Sequence, residues 1–277
     1  MEYNKQSLVA CCTALSSILN LITHSPEDLP SWTKLLHFAS SNLSKPSRGG
    51  KRQNLANIIK KRLDDGSSSS DHHSGYIDDT PPRVRKDAAS SLAAAVSAKI
   101  EDGNMKAAIR IVSSEDKPAP DNADTLTKLL DKHPPSPSGG SIAYPLSGPS
   151  VSYKATEEEV RRAIRSFPSG SCGGPDGIRP QHIADLVNCK ESGFPLLSSI
   201  TALVNCLLNG KCHSAVRPIL FGGNLIVLEK KAGGIRPIAV GYVWRRIAAK
   251  CANYFATARL APLLSPLQLG VAVPGGC

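Results

Sequence analysis

Residues 221–270 read FGGNLIVLEKKAGGIRPIAVGYVWRRIAAKCANYFATARLAPLLSPLQLG. The short apolar run from Leu225 to Leu228 is typical of a buried β-strand, and the segment Lys230 to Gly234 has the glycines of a tight turn. Residues 235–240 are expected to form the returning strand, in which Pro237 is tolerated only at a sheet edge or a bulge. A basic helix follows. This stretch therefore predicts a short antiparallel β-ribbon that leads into a helix.

The ribbon and its helix are strongly basic. Eight Lys and Arg residues lie between Arg217 and Arg259, against one acid, Glu229. The two lysines of the turn and Arg236 can converge on one polyphosphate, because Arg supplies a planar fork of donors and Lys a mobile charge. An exposed hairpin with ordinary surface lysines explains the same residues. Both interpretations stay open at this point.

Charge is distributed unevenly along the 277 residues, whose net charge is +10. Residues 154–277 carry 15 basic and 7 acidic side chains, a net charge of +8, whereas residues 1–153 carry 18 and 16, a net charge of +2. A basic half of this kind indicates an acidic polymer as its partner, and nucleic acid is the commonest one.

The eight cysteines are scattered, and no pair of them has the spacing of a structural zinc site. Small buried thiols of this kind are typical of a reducing compartment, so we expect an intracellular protein of the cytoplasm or nucleus. We expect no apolar run that reaches the ~18 residues needed for a membrane span. Residues 7–23 have the spacing of an amphipathic helix, and we expect no membrane partner.

The overall pattern predicts an α+β protein with a mostly helical, linker-rich N-terminal half. Its predicted segments are a helical region at 1–63, a disordered linker at 64–86, a short helical connector at 87–131, a second linker at 132–150 and a folded subdomain at 151–277. In the last segment, Thr156 and Glu159 form a capping-box pattern at the start of a helix. The loop at 169–177, SGSCGGPDG, is too rich in glycine to be regular.

The order of these motifs resembles the fingers region of the reverse transcriptases of non-LTR retrotransposons, which are RNA-directed DNA polymerases. In that family a strand ending in Lys leads through a turn to Arg-Pro-Ile, and a helix and a Gln-x-Gly-Phe turn follow. The upstream stretch SGSCGGPDGIRPQHI, residues 169–183, is similar to the Gly-Pro-Asp-Gly element that precedes the fingers. The resemblance covers roughly residues 154–277 and implies that 151–277 is a fingers subdomain.

The resemblance also implies roles for particular residues. The triphosphate of an incoming nucleotide would be held by Lys230 or Lys231 together with Arg236. A loop near the template backbone would consist of Gly173, Gly174, Pro175, Asp176 and Gly177, and the template strand would also lie close to Gln268 and Gly270. Contacts to the nucleic-acid backbone would come from Arg245, Arg246 and Lys250, although a solvated helix face explains these three equally well.

Two departures from the family pattern limit what the chain is expected to do. Val271 stands where the family has the Phe of its Gln-x-Gly-Phe turn, which weakens any inference about template packing there. The chain has no Tyr-x-Asp-Asp, and after Asp185 its only side-chain carboxylates are Glu191 and Glu229. The intact family enzyme is expected to use Mg²⁺ held by palm aspartates. We therefore expect a fingers fragment that is truncated before the palm, with no catalytic residue, no metal and no polymerase activity alone.

A fingers fragment without its palm is expected to expose apolar faces at 196–208 and 242–264. Its partners would be RNA and DNA as template-primer, and the palm that it lacks. Two alternatives belong to other classes of protein. One is a stand-alone nucleic-acid-binding protein derived from a retroelement. The other is a helical protein-interaction module whose working surface is the N-terminal helices.

Overall fold

The computed structural model describes residues 5–44, 54–64, 88–101, 103–114, 117–133, 153–230 and 233–264. About two thirds of them are helical, and two strands form a small antiparallel sheet, so the chain belongs to the α+β class. In chain order the elements are α1 Lys5–His24, α2 Leu29–Asn42, α3 Leu55–Asp64, α4 Ala88–Glu101, α5 Met105–Ser113, α6 Ala123–Lys132, α7 Glu157–Arg165, α8 Pro180–Val187, α9 Gly193–Leu208, α10 Arg217–Leu220, β1 Gly223–Glu229, β2 Ile235–Gly241 and α11 Val243–Leu264.

Main-chain packing divides the chain into two compact units. The helical unit comprises the described residues within 1–67, 139–225 and 239–277, and the ribbon unit comprises those within 68–138 and 226–238. The predicted segmentation instead separates residues 1–63 from the segment that begins at 151. In the structure, α1, α2 and α3 belong to the same unit as α7, α8, α9 and α11. Most residues of the two predicted linkers, 64–86 and 132–150, lie outside the described residues.

Helix α9 is the centre of the helical unit. It packs against α1, α7, α8 and α11, and its side chains Leu196, Leu197 and Ile200 are completely buried. The expectation that residues 196–208 expose an apolar face is therefore wrong, because α1 covers that face with Leu15 and Leu19.

The expectation of an exposed apolar face at 242–264 is met only in the second half of α11. Trp244 and Ile247 are buried near its start, whereas Leu260 and Leu263 are 46% and 78% exposed near its end. The first turns of α11 pack on α9 and α7. The apolar residues that stay exposed are thus those at the end of the helix.

The sequence-based expectation that no apolar run is long enough for a membrane span is wrong for α1. By length and composition alone, α1 is a candidate span. A core helix of a globular protein meets the same criteria. Six residues of α1 are buried, and the helix packs against α2, α3, α8 and α9; these residues are Ser7, Cys11, Cys12, Leu15, Leu19 and Ile22.

Helix α7 begins where the sequence predicts. The Thr156 hydroxyl accepts a hydrogen bond from the Glu159 main-chain N–H at 3.3 Å, and the Glu159 carboxylate accepts one from the Thr156 N–H at 2.8 Å. This capping box is confirmed. It satisfies two main-chain donors at the helix start and places three glutamates near the positive end of the helix dipole.

The ribbon unit contains α4, α5, α6 and the turn end of the sheet. A short segment that the sequence did not reveal as a strand, residues 117–119, pairs antiparallel with β1. The Ala119 N–H donates to Val227 O at 2.9 Å, and the Glu229 N–H donates to Lys117 O at 2.9 Å. At its turn end, the sheet is therefore three segments wide.

The prediction that β1 is a buried strand is wrong. Leu225 is 47% exposed and Ile226 is 45% exposed. Both residues are apolar and β-prone, which is why the pattern suggested a core strand. A narrow ribbon buries few side chains, however, so the strand forms through main-chain pairing while its side chains stay accessible.

A candidate nucleic-acid interface

In the helical unit, cationic and aromatic side chains lie next to one another along α11. Arg246, Lys250 and Tyr254 are spaced four residues apart, a spacing that places them on one side of a helix. The Arg246 guanidinium lies 4.9 Å from the centre of the Phe167 ring, and Lys250 Nζ lies 4.7 Å from the same centre. Both distances are typical of cation–π contacts.

Contacts between cations and aromatic rings continue toward α7 and toward the end of α11. The Arg162 guanidinium lies 4.8 Å from the centre of the Tyr254 ring, and the Arg259 guanidinium lies 4.2 Å from that of Phe255. Tyr153 stacks on Phe255 with ring centres 4.2 Å apart. We call this surface the basic–aromatic face; it comprises Arg162, Phe167, Arg246, Lys250, Tyr254, Phe255 and Arg259.

Burial and hydrogen bonding hold Arg246 in place. Its Nη1 donates to the main-chain oxygen of Cys172 at 2.8 Å, which ties α11 to the loop at 169–177. Burial lowers the pKa of Arg246, and the neighbouring Arg245 lowers it further. An arginine shifted in this way still remains a cation at neutral pH, because a guanidinium loses its proton only in strongly basic solution. Arg246 therefore positions the loop while it adds positive charge.

Arg245 is placed differently from Arg246. It lies over Gly241, where an added Cβ would meet its Nη2 at 2.1 Å. Its Nε is buried and has no hydrogen-bond partner among the residues that the structure describes. Arg245, Arg246 and Lys250, the three predicted backbone contacts, are all half-buried and not fully solvated.

The predicted template loop is packed tightly against main chain. A Cβ on Gly174 would lie 2.7 Å from Tyr242 Cα, and one on Gly173 would lie 2.8 Å from the carbonyl carbon of Gly177. The Gly177 N–H donates to Gly174 O at 2.9 Å, and Gly177 adopts a φ of 76°. Glycine at these positions thus allows the loop to close on itself and on the start of α11.

Asp176 is the acidic residue of this loop. Its Oδ1 accepts a hydrogen bond from the Ile178 N–H at 3.1 Å, and its Oδ2 is buried without a hydrogen-bond partner in the described part of the chain. Burial raises the pKa of Asp176 to about 6, although the hydrogen bond from Ile178 opposes this shift. Asp176 therefore carries less than its full negative charge in mildly acidic solution.

In the ribbon unit, the turn places two predicted cations in solvent. Lys230 and Arg236 are exposed. The Lys230 N–H donates to Gly234 O at 3.0 Å, and Gly233 and Gly234 have φ values of 85° and 82°, which only glycine adopts readily. The third predicted cation, Lys231, lies outside the described residues, as do the predicted template contacts Gln268 and Gly270.

Some residues of these surfaces were not predicted. Lys117 is exposed. Its main-chain oxygen accepts a hydrogen bond from the Glu229 N–H on β1, which places Lys117 beside the turn. The sequence Lys117-Pro118-Ala119-Pro120 favours extended backbone, and this pattern could have indicated that the segment pairs with a strand. Phe167 and Tyr254 were also missed. For Tyr254, the four-residue steps from Arg246 to Lys250 and from Lys250 to Tyr254 indicated a common helix face.

Within the described residues, no group of three His, Cys, Asp or Glu side chains is arranged to hold a metal ion. Comparisons of this chain with protein-family models, with curated proteins and with solved structures find no match.

Proposed function

We propose that this chain is the fingers portion of a reverse transcriptase of the non-LTR retrotransposon type, and that it binds template-primer nucleic acid. The observation that supports this function best is the basic–aromatic face of the helical unit. The resemblance of residues 154–277 to the fingers region supports it independently. In this proposal, the cations of the face contact phosphates, and the exposed part of its aromatic rings contacts bases or sugars.

The chemistry of the face suits a single-stranded or frayed template. Cations next to aromatic rings can bind a sugar–phosphate backbone while a base stacks on a ring, and every base has a π-face. The main-chain oxygen of Cys172 fixes Arg246, so less side-chain freedom is lost on binding. The loop at 169–177, which Arg246 contacts, is the proposed guide for the template backbone.

The ribbon turn is the proposed site for the triphosphate of a nucleotide. Lys230 and Arg236 are exposed there, and Lys117 adds a third described cation that the resemblance did not include. A mobile ammonium and a planar guanidinium bind phosphate oxygens in complementary ways. The described residues of the turn thus supply positive charge for binding.

The described carboxylates of residues 154–277 do not fit a two-metal polymerase site. Glu191 forms an ion pair with Lys5, and Asp176 is half-buried in its loop. No three described ligands cluster. We therefore derive no catalytic step through Mg²⁺, and we propose binding without nucleotide addition by these residues.

Binding of the full chain to a labelled RNA–DNA primer-template across a salt series tests the proposal. Affinity is expected to fall steeply as salt rises, with a log–log slope of about −0.9 per phosphate contact on duplex and about −0.7 on single strand. The variant Arg246→Ala/Lys250→Ala should weaken binding roughly tenfold or more and flatten that slope. The matched control Lys34→Ala/Lys60→Ala removes the same charge from exposed positions on α2 and α3.

Equal losses in the two double variants would contradict a specific role for the basic–aromatic face, because net charge alone would then explain binding. A second variant, Phe167→Ala, removes an aromatic ring without changing the charge. It should weaken binding to single-stranded template by about 1–3 kcal/mol if bases stack on this face.

The alternative of a stand-alone nucleic-acid-binding protein shares this face, since the face lies entirely within the helical unit. Nucleotide binding separates the two functions. A fingers portion should bind a nucleoside triphosphate at the ribbon turn, and Lys230→Ala/Arg236→Ala should abolish that binding. A protein that binds only nucleic acid should show no such site. The interaction-module alternative has less support, because Leu15, Leu19 and Ile22 of α1 are buried.

A further inference from the structure

Two cysteines from distant parts of the chain meet in the helical unit. Cys12 lies on α1, and Cys189 lies in the turn between α8 and α9. Both contact the main-chain oxygen of Leu186: the Cys12 thiol donates to it at 3.4 Å, and the Cys189 N–H donates to it at 3.1 Å. Burial raises the pKa of the Cys12 thiol, and the nearby Cys189 thiol raises it further. One carbonyl thus places the Cys12 sulfur beside the main chain of Cys189, 177 residues away in the sequence.

The sulfur of Cys189 lies among hydrogen-bond donors at the start of α9. The Ser192 hydroxyl donates to it at 3.5 Å, and the main-chain N–H groups of Glu191 and Ser192 also bond to it. Burial raises the pKa of Cys189, but these hydrogen bonds outweigh burial, so that its pKa lies below the ordinary value. Donors of this kind stabilise a thiolate, which is the reactive form of cysteine.

Cys12 has the opposite environment. It is fully buried, and burial raises its pKa. The pair is therefore asymmetric, with one sulfur suited to react as a thiolate and one suited to remain a thiol until it is used. This division of roles is typical of a reactive cysteine next to a resolving cysteine.

An open groove lies next to the pair. The groove has a volume of about 720 Å³, and its lining includes Cys12, Glu191 and Ser192. Cys189 itself is half-buried, so it is not sealed from solvent. A hydroperoxide is small enough to enter a space of this size.

We propose that Cys12 and Cys189 form a redox-active dithiol that hydroperoxides convert to a disulfide joining α1 to the turn between α8 and α9. In the first step the Cys189 thiolate attacks one peroxide oxygen, the O–O bond breaks, and hydrogen peroxide yields a sulfenic acid and hydroxide. In the second step the Cys12 sulfur attacks the Cys189 sulfur, the S–O bond breaks, and the Cys12 proton leaves with the sulfenic oxygen as water. Both thiols are oxidised and the peroxide is reduced.

The disulfide would stabilise the packing of α1 on the core of the helical unit. Helix α1 packs against α9, the central helix of the unit. A covalent bond between α1 and the turn before α9 closes a long loop and restricts the unfolded chain. Oxidation is therefore expected to raise the unfolding midpoint of the helical unit, and a thiol reductant is expected to return the midpoint to its starting value.

The test treats the reduced full chain with hydrogen peroxide and analyses its peptides by mass spectrometry. We expect a cross-linked peptide that is lighter by two hydrogen atoms than its two parts and that separates again on reduction. Fragmentation must assign the bond to Cys12 rather than the adjacent Cys11, and to Cys189 rather than Cys172, because tryptic cleavage leaves each pair in one peptide. Each of Cys12→Ser and Cys189→Ser should abolish the bond.

Two further variants protect the test against misfolding. Ser192→Ala retains both thiols but removes one donor to Cys189, so disulfide formation should become several-fold slower at neutral pH. Cys206→Ser removes a buried thiol at the far end of α9 and should leave the rate unchanged. Formation at the same rate in Ser192→Ala, a bond that pairs other cysteines, or a Cys12–Cys189 pair that stays reduced while Cys172 is oxidised would each overturn the proposal.

Discussion

The side-chain amide of Asn205 satisfies both main-chain polar groups of Ala155. Its Oδ1 accepts from the Ala155 N–H at 2.8 Å, and its Nδ2 donates to the Ala155 oxygen at 2.9 Å. This pair attaches the residue before the α7 cap to the last turn of α9. Through α7, it also fixes the position of Arg162 on the basic–aromatic face.

Asn205→Ala is expected to destabilise the helical unit by about 2 kcal/mol or more. The substitution leaves both polar groups of a buried main-chain residue without partners, which costs more than a lost surface hydrogen bond. Urea unfolding followed by tryptophan fluorescence measures the change. The control Asn209→Ala, at an exposed position one helical turn along, should cost about 0.5 kcal/mol or less. Similar losses in the two variants would show that the Asn205 pair contributes little.

Arg246→Lys keeps the positive charge but removes the planar fork that reaches the Cys172 oxygen while it covers Phe167. The loop at 169–177 should then open more often. Hydrogen exchange of its amides is expected to become faster, and affinity for the primer-template should fall several-fold although the net charge is unchanged. Lys250→Arg is the matched control, and it should leave exchange in the loop as it is in the wild type. Unchanged exchange in Arg246→Lys would contradict the positioning role of Arg246.

Gly174→Ala is expected to destabilise the unit by about 1–3 kcal/mol, because the added methyl group collides with the main chain of Gly241 and Tyr242. Main chain cannot rotate away as a side chain can. Thermal unfolding provides the measurement. Gly170→Ala is the comparison, since Gly170 faces open space and has a φ of 81°. Gly170→Ala should lower the free energy of unfolding by about 1–2 kcal/mol through its backbone conformation alone, without displacement of the loop.

Asp176 should make stability depend on pH in the acidic range. Burial raises its pKa from 3.8 to about 6 in the folded chain. Between these pH values the folded state binds a proton that the unfolded state has already released, so this contribution to stability is present at the acidic end and is lost as pH rises. Asp176→Asn cannot ionise.

The stability of Asp176→Asn relative to the wild type should therefore increase from about pH 4 to pH 6 and remain level above that. Urea unfolding at a series of pH values measures the difference. Asp131→Asn, at an exposed position on α6, should leave the pH dependence of the wild type in place. If the difference in unfolding free energy between Asp176→Asn and the wild type does not change between pH 4 and pH 6, Asp176 is not the group responsible for the pH dependence.

Local signals in the sequence predicted local structure well. The capping box at Thr156 and Glu159 gave the start of α7, and Pro180 gave the start of α8. The turn glycines gave the position of the ribbon. Each of these features depends on residues a few positions apart, so short-range hydrogen bonding and backbone preference determine them.

Features that depend on distant residues were not predicted. Nothing near Leu196 shows that α1 will cover α9, and nothing near Val227 shows that residues 117–119 will pair with β1. The exposure of Leu225 follows from how few segments join the sheet, which strand propensity does not reveal. For the candidate site, the predicted residues were isolated positions. The cation–π contacts that join two of them, Arg246 and Lys250, through Phe167 required the three-dimensional arrangement.

The prolines of the ribbon have a consequence for self-association. In the part of the chain that the structure describes, the outer segments of the sheet are 117–119 and β2, with β1 between them. Pro118 lies on one outer segment and Pro237 on the other. Since proline has no N–H, neither edge offers an uninterrupted row of donors to a strand from another molecule. The ribbon can thus expose Ile226 and Ile238 to water without becoming a template for intermolecular β-sheet.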